Sequence, residues 1–154
     1  VTYLTIKWMH VISSTILFGT GIGSAFYLLA ASIGRDARTV ARVSRLVVLA
    51  DWLFTTPTAI VQPLTGYLMM RLTGFPVSSP WLAWSIGLYV VAIACWLPVV
   101  WLQMRLAAEA QACAVSDAGL SRRYWRLMSA WIALGVMAFV AFVGIFWLMV
   151  TKTL

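Results

Sequence analysis

Few side chains in this sequence could do chemistry in an apolar setting, and the first is His10, the sole histidine, in Ile6-Lys7-Trp8-Met9-His10-Val11. An imidazole there can ligate a metal, hydrogen-bond a neighbouring helix or pass a proton. Asp51 is the second, in Ala50-Asp51-Trp52-Leu53-Phe54-Thr55-Thr56-Pro57. A carboxyl in such a run is neutral, paired or reached by water, because a bare charge there is costly. Met69 and Met70 offer adjacent thioethers, soft ligands for a transition metal. The two cysteines have no metal or redox spacing. Cys95 lies in an apolar run and Cys113 in a polar connection, so no disulfide is expected between them. No Ser-His-Asp set and no phosphate loop is present, and one histidine excludes a multi-histidine metal site within a single chain.

The elements that must position these groups follow from composition. The chain has 154 residues, 63% of them hydrophobic and only 10% charged, where a soluble domain carries about 25% charged residues. Its apolar runs exceed the ~20 residues a helix needs to cross a bilayer. The sequence therefore predicts an all-α fold, an integral membrane bundle of four transmembrane helices forming one domain over residues 1–154. The first run is too long, and lacks the small-residue cleavage site, to be a cleaved signal peptide. The formal charge of +7 does not indicate nucleic-acid binding, because the arginines gather in two connections. The partner implied is the lipid bilayer.

In chain order, helix one is expected over 3–32, then a charged connection, and helix two from near Thr39 to near Arg71, kinked by Pro57 and Pro63. Breakers at residues 73–80 make a loop. Helix three starts at Trp81, bends at Pro98 and runs beyond the bilayer through Arg105, Glu109 and Gln111. Asp117-Ala118-Gly119 ends it, and Ser121 caps helix four over 122–151. Loops one and three hold most of the arginines, which places them in the cytoplasm and both termini outside, in a bacterial inner membrane. Aromatic belts agree: Tyr3, Trp8, Tyr67, Trp81, Trp84 and Trp147 outside, Tyr27, Trp101, Tyr124 and Trp125 inside.

With that topology His10 lies roughly 10 Å below the outer start of helix one, at 1.5 Å per residue. The same depth falls near Thr65 and Gly66, near Gly87 and near Gly144 on the other helices. Small residues let helices pack closely and also leave room for a flat ligand. A porphyrin needs a ring-nitrogen donor and small residues where its plane passes, and haem iron accepts histidine alone or histidine with methionine. The candidate set is thus haem b on His10, with Gly66, Gly87 and Gly144 around it and Met69 or Met70 as second ligand. A packing role for the histidine and the glycines stands beside it.

Asp51 falls about two turns inside the cytoplasmic end of helix two, where Arg105 and Arg126 can reach inward to pair with it. A proton step or a substrate contact is the functional alternative. Gln62 is expected to satisfy the carbonyl freed by Pro63. Asp51 and His10 fall in opposite leaflets, which argues against one catalytic pair. Gly19 and Gly23 form a GxxxG that permits a close helix crossing, within the bundle or in a homodimer.

These motifs carry a resemblance. Leu4-Thr5-Ile6-Lys7-Trp8-Met9-His10 with Leu17-Phe18-Gly19-Thr20-Gly21 resembles the opening of an integral-membrane family called domain of unknown function 2269. The Asp51 motif, Gln62-Pro63-Leu64-Thr65-Gly66 and Trp96-Leu97-Pro98-Val99-Val100-Trp101-Leu102-Gln103 resemble it too, so nearly the whole chain is covered. That family is similar to HemJ-type protoporphyrinogen oxidases and to the CopD membrane domain. Lys7-Trp8-Met9-His10 matches the first-helix Lys-x-x-His associated with haem b in HemJ-type proteins, and Arg123-Tyr124-Trp125-Arg126 resembles their fourth helix. Helix three here has neither histidine nor lysine, so the resemblance carries haem ligation at His10 alone, and no ligand cluster suited to copper is present. What it implies is an inner-membrane haem b protein in electron transfer or haem-linked oxidation, with a membrane redox partner. A non-enzymatic membrane subunit or assembly partner, and a small transporter or proton path using Asp51, are the alternatives.

Overall fold

A computed structural model describes residues 2–117 and 119–152. The helices are α1 (Thr2–Ile33), α2 (Ala37–Ala50), α3 (Thr56–Thr73), α4 (Pro80–Val115) and α5 (Arg122–Thr151), with a π-helical segment, Asp51–Thr55, joining α2 to α3. That segment and its flanks make one span, Ala37–Thr73, so four helices are long and apolar enough to cross a membrane. The expected all-α, four-span architecture is what the chain adopts. Ala118 of the expected breaker lies outside the described residues. We call the end carrying the 74–79 loop the terminal end, and the opposite one, at Arg35 and Arg122, the basic end.

Local chemistry sets the boundaries. The second span begins at Ala37, two residues before the expected Thr39, because the Asp36 carboxylate accepts from the Arg38 and Thr39 amides at 3.3 and 3.1 Å and from the Thr39 hydroxyl. Those bonds satisfy donors that a helix start leaves orphaned. Ser121 caps α5 by accepting from the Tyr124 amide, as expected. Gly74 closes α3 in the left-handed region, φ +71°, where other residues are strained. Cys113 lies in the last turn of α4 and is buried, and both cysteines are free thiols.

Prolines shape the second span. Pro57 has no N–H to return, and the ladder widens just before it: the Thr56 amide and hydroxyl both reach back five residues to the Asp51 carbonyl. Pro63 frees the Ala59 carbonyl in the same way. The expected partner, Gln62, does not fill that role; the Tyr89 hydroxyl on α4 donates to it instead. Gln62 is the residue directly before Pro63, and its side chain reaches across to α1 instead of along its own helix.

At the basic end Leu28, Val40, Val47, Leu106, Tyr124 and Met128 form one buried apolar cluster drawn from every span. Tyr124 is wholly buried and shares a 2.6 Å hydrogen bond with Ser32, so it belongs to this core and not to an interfacial belt. Towards the terminal end α1 packs along α3 and α4 along α5, while α3 and α4 are not closely packed. Phe18 joins the two pairs by stacking on Phe139 and meeting Phe142 and Phe146 edge-on.

Two outcomes follow. Asp36 is exposed, and its hydrogen bonds from Thr39 hold its carboxyl below the usual carboxylate range. Its capping contribution is therefore present above the unfolded pKa and is lost as pH falls through the depressed folded value. Asp36→Asn keeps the cap without the titration, and acid melts followed by circular dichroism should show a smaller loss of stability for it than for the wild type. Tyr89→Phe leaves the Ala59 carbonyl bare at a cost of about 1–3 kcal/mol, and Pro63→Ala, which restores an amide, should shrink that cost in a double-mutant cycle.

Candidate functional site

His10 lies on α1 against α3, half-buried. Its Nδ1 is 2.7 Å from Thr65 Oγ1. The Thr65 hydroxyl also lies 2.7 Å from the Val61 carbonyl, the ordinary back-bond of a helical threonine. The network assigns the tautomer. If Thr65 gave its single proton to Nδ1, the imidazole N–H would sit on Nε2, which has no partner among the described residues; an orphaned donor is costlier than an under-used acceptor. Nδ1–H therefore donates to Thr65, Thr65 donates to Val61, and Nε2 presents its lone pair. Gly66 lies beside the ring, where a Cβ would stand 3.6 Å from His10 Cε1.

Gln62 fixes the backbone beneath. Its amide donates to the His10 carbonyl at 2.8 Å and to Ser13 Oγ at 2.6 Å, and Ser13 donates to the same carbonyl at 3.1 Å. Histidine orientation thus depends on two residues of α3, one holding the ring and one holding the main chain.

The other depth-matched positions are elsewhere. Gly144 packs on Leu88 Cδ1, 3.1 Å from where its Cβ would be, and a Cβ on Gly87 meets nothing within 4 Å, so neither touches the imidazole. Gly144 lines a shallow apolar groove of about 400 Å³ between α4 and α5, with Trp84, Leu88 and Trp147. Equal depth places residues at one level, and helix rotation, which depth does not specify, points them to different faces. Met69 and Met70 are half-buried on α3, and Met69 is one turn beyond Thr65 on the same side.

Asp51 is buried, and its partner is not an arginine. Trp96 Nε1 donates to Oδ1 at 3.2 Å. Arg105 lies over the Trp101 ring, 5.1 Å from its centroid, and Arg126 is exposed. The described ion pairs, Arg38–Asp117 and Arg123–Glu109, are elsewhere. An arginine reaching inward would have to desolvate its own guanidinium, and both stay at the polar boundary instead. The side chains of Thr55 and Gln103 also face the carboxyl. Oδ2, Thr55 Oγ1 and Gln103 Nε2 are nevertheless buried without a hydrogen-bond partner.

Sequence reasoning missed the row connecting these places. Asp51, Thr55, Thr58, Gln62 and Thr65 are each at least nine-tenths buried. Their spacing, i, i+4, i+7, i+11 and i+14, is the seam of a packed helix, which ordinarily carries apolar side chains. Here every position is polar. The signal was readable as a heptad of polar residues in an apolar span, but only the packing shows that this stripe faces inwards. Among the described residues no group of three or more His, Cys, Asp and Glu side chains comes together to hold a metal ion.

The fold and these sites define a four-span helical membrane protein. The model of a family described as predicted integral membrane protein (DUF2269) matches residues 4–153. The chain belongs to that family. Comparisons with curated proteins and with solved structures find no match.

Gln62→Leu removes both donors to α1 while keeping side-chain volume. It should destabilise the protein by about 0.6–1.7 kcal/mol, the range of interhelical hydrogen bonds in membranes. Unfolding in mixed micelles measures this.

Proposed function

We propose that this is a haem b protein of the bacterial inner membrane, with the termini outside, serving electron transfer or haem-linked oxidation with a membrane redox partner. The observation that carries the reading is the 2.7 Å contact between His10 Nδ1 and Thr65 Oγ1, which, with Nδ1–H donating, leaves Nε2 as the ligating atom. Ligating histidines characteristically give their other N–H to such a partner, which fixes the tautomer and raises ligand basicity. Gly66 keeps bulk away from the ring, and Met69 follows Thr65 by one turn on α3. The Lys7-x-x-His10 resemblance supports the same cofactor.

Bound here, haem would supply one-electron redox chemistry at the iron. The protein's own contribution is to hold the imidazole by Thr65 and to anchor its backbone by Gln62 and Ser13. Outward orientation places His10 near the outer face, within reach of an extracytoplasmic or membrane-embedded partner.

Purified protein supplied with haem should show a Soret band whose reduced form is a low-spin b-type spectrum, and His10→Ala should lose it while remaining helical. Thr65→Val should retain the band but bind haem about 10–100-fold more weakly, as loss of an outer-shell partner does. A wild-type protein with no Soret band under these conditions would falsify the assignment.

A further inference from the structure

The row from Asp51 to Thr65 has a direction. Towards the basic end it is sealed, because Val47 and Leu106, about one turn away on α2 and α4, are buried in the apolar cluster. Towards the terminal end it stays polar for about 20 Å, 14 residues at 1.5 Å each, and finishes at His10. We propose that this seam is a proton path that connects the buried acid of Asp51 with His10 and the terminal end of the bundle. The proposal does not depend on haem.

Asp51 is the group that holds the proton. No described cation pairs with it: the Trp96 indole donates to Oδ1, and the side chains of Thr55 and Gln103, both neutral, face it. An uncompensated carboxylate in hydrocarbon costs several kcal/mol, so the acid is neutralised by the smallest available cation. A divalent metal does not suit a single carboxyl with no second acid or histidine beside it. The groups facing it from the helices packed around it give no alternative charge. Arg45 on α2 bonds the Ala41 carbonyl, Arg105 on α4 lies over Trp101, and Lys7 on α1 and Arg71 on α3 are exposed at the terminal end. Tyr89 on α4 is engaged with Ala59, and Cys95 on α4 is a free thiol next to Trp96.

The transfer involves O–H and N–H bonds only. The Asp51 O–H breaks as a bond forms on a bridging water or hydroxyl, which releases its own proton to the next. Gln62, whose amide protons are held by α1, only accepts from that chain; one proton moves and no electron does. Successive positions are about 4.5–6 Å apart along the axis, a distance that one bridging water spans. Thr55 Oγ1 and Asp51 Oδ2, both unpartnered, are the groups such a water would bind. At the far end the imidazole, when Nε2 carries no iron, takes a proton there and releases the Nδ1 proton to Thr65, and the same step in reverse carries a proton outward. On α1, Ser13 lies in this seam, and Thr20, seven residues on along the same face, is half-buried.

The test is infrared spectroscopy of the full chain in liposomes, transferred from H2O to D2O. Wild-type protein should show a carboxylic-acid C=O band that shifts on deuteration and is missing in Asp51→Asn. Thr58→Val, which removes one hydroxyl at constant shape, should slow that shift by about tenfold or more. Thr58→Ser should restore it, and Thr15→Val, on the exposed face of α1, should leave it unchanged. If Thr58→Val does not fold, Thr55→Val makes the same break. No Asp51 band in the wild type, or equal exchange rates in the valine variant and the wild type, overturns the proposal. A band that disappears on adding sodium ions assigns the site to a metal cation and overturns it too.

Discussion

A carbonyl or amide in the hydrocarbon core has no water to turn to, so each must find its partner within the protein. The second span breaks its own ladder at Pro57 and Pro63, and much of the surrounding structure answers that constraint. Ahead of Pro57 the helix widens into a π segment, and Asp51 begins it. At Pro63 the freed Ala59 carbonyl draws in Tyr89, which ties α4 to α3 where the two are otherwise not closely packed. Gln62, spared that duty, reaches α1 and holds the main chain of His10. His10 and Asp51 are thus linked to the same helix irregularities.

The bundle divides its labour between its ends. An apolar cluster containing Tyr124, Leu28 and Leu106 locks the spans together at the basic end. Toward the terminal end the helices pair off, and polar groups replace apolar ones along the seam between α1 and the second span. Polar seams are weaker glue than apolar packing in water, but in a bilayer hydrogen bonds and close packing are what hold helices together. Stability alone does not require a carboxyl in that seam.

Much was legible without coordinates. Four apolar runs, Ser121 as a cap, the breakers at residues 73–80 and unpaired cysteines all rest on local rules of length, capping and turn chemistry. Depth along a helix is also local arithmetic, and it put Thr65 and Gly66 level with His10, where they are. Rotation about the helix axis is not local. It sent Gly87 and Gly144 to other faces, although their depth was matched by the same sum.

Hydropathy and helix length depend on residue type alone, and they establish a membrane-spanning, four-helix chain with one histidine and one deeply placed acid. The partners come from how the helices pack. Asp51 meets Trp96 rather than an arginine, Pro63 is answered by Tyr89 rather than Gln62, and Thr65 sets which nitrogen of His10 is free. Each of these is a contact between helices, and the choice follows from which faces pack, a property of the whole bundle that no single span encodes.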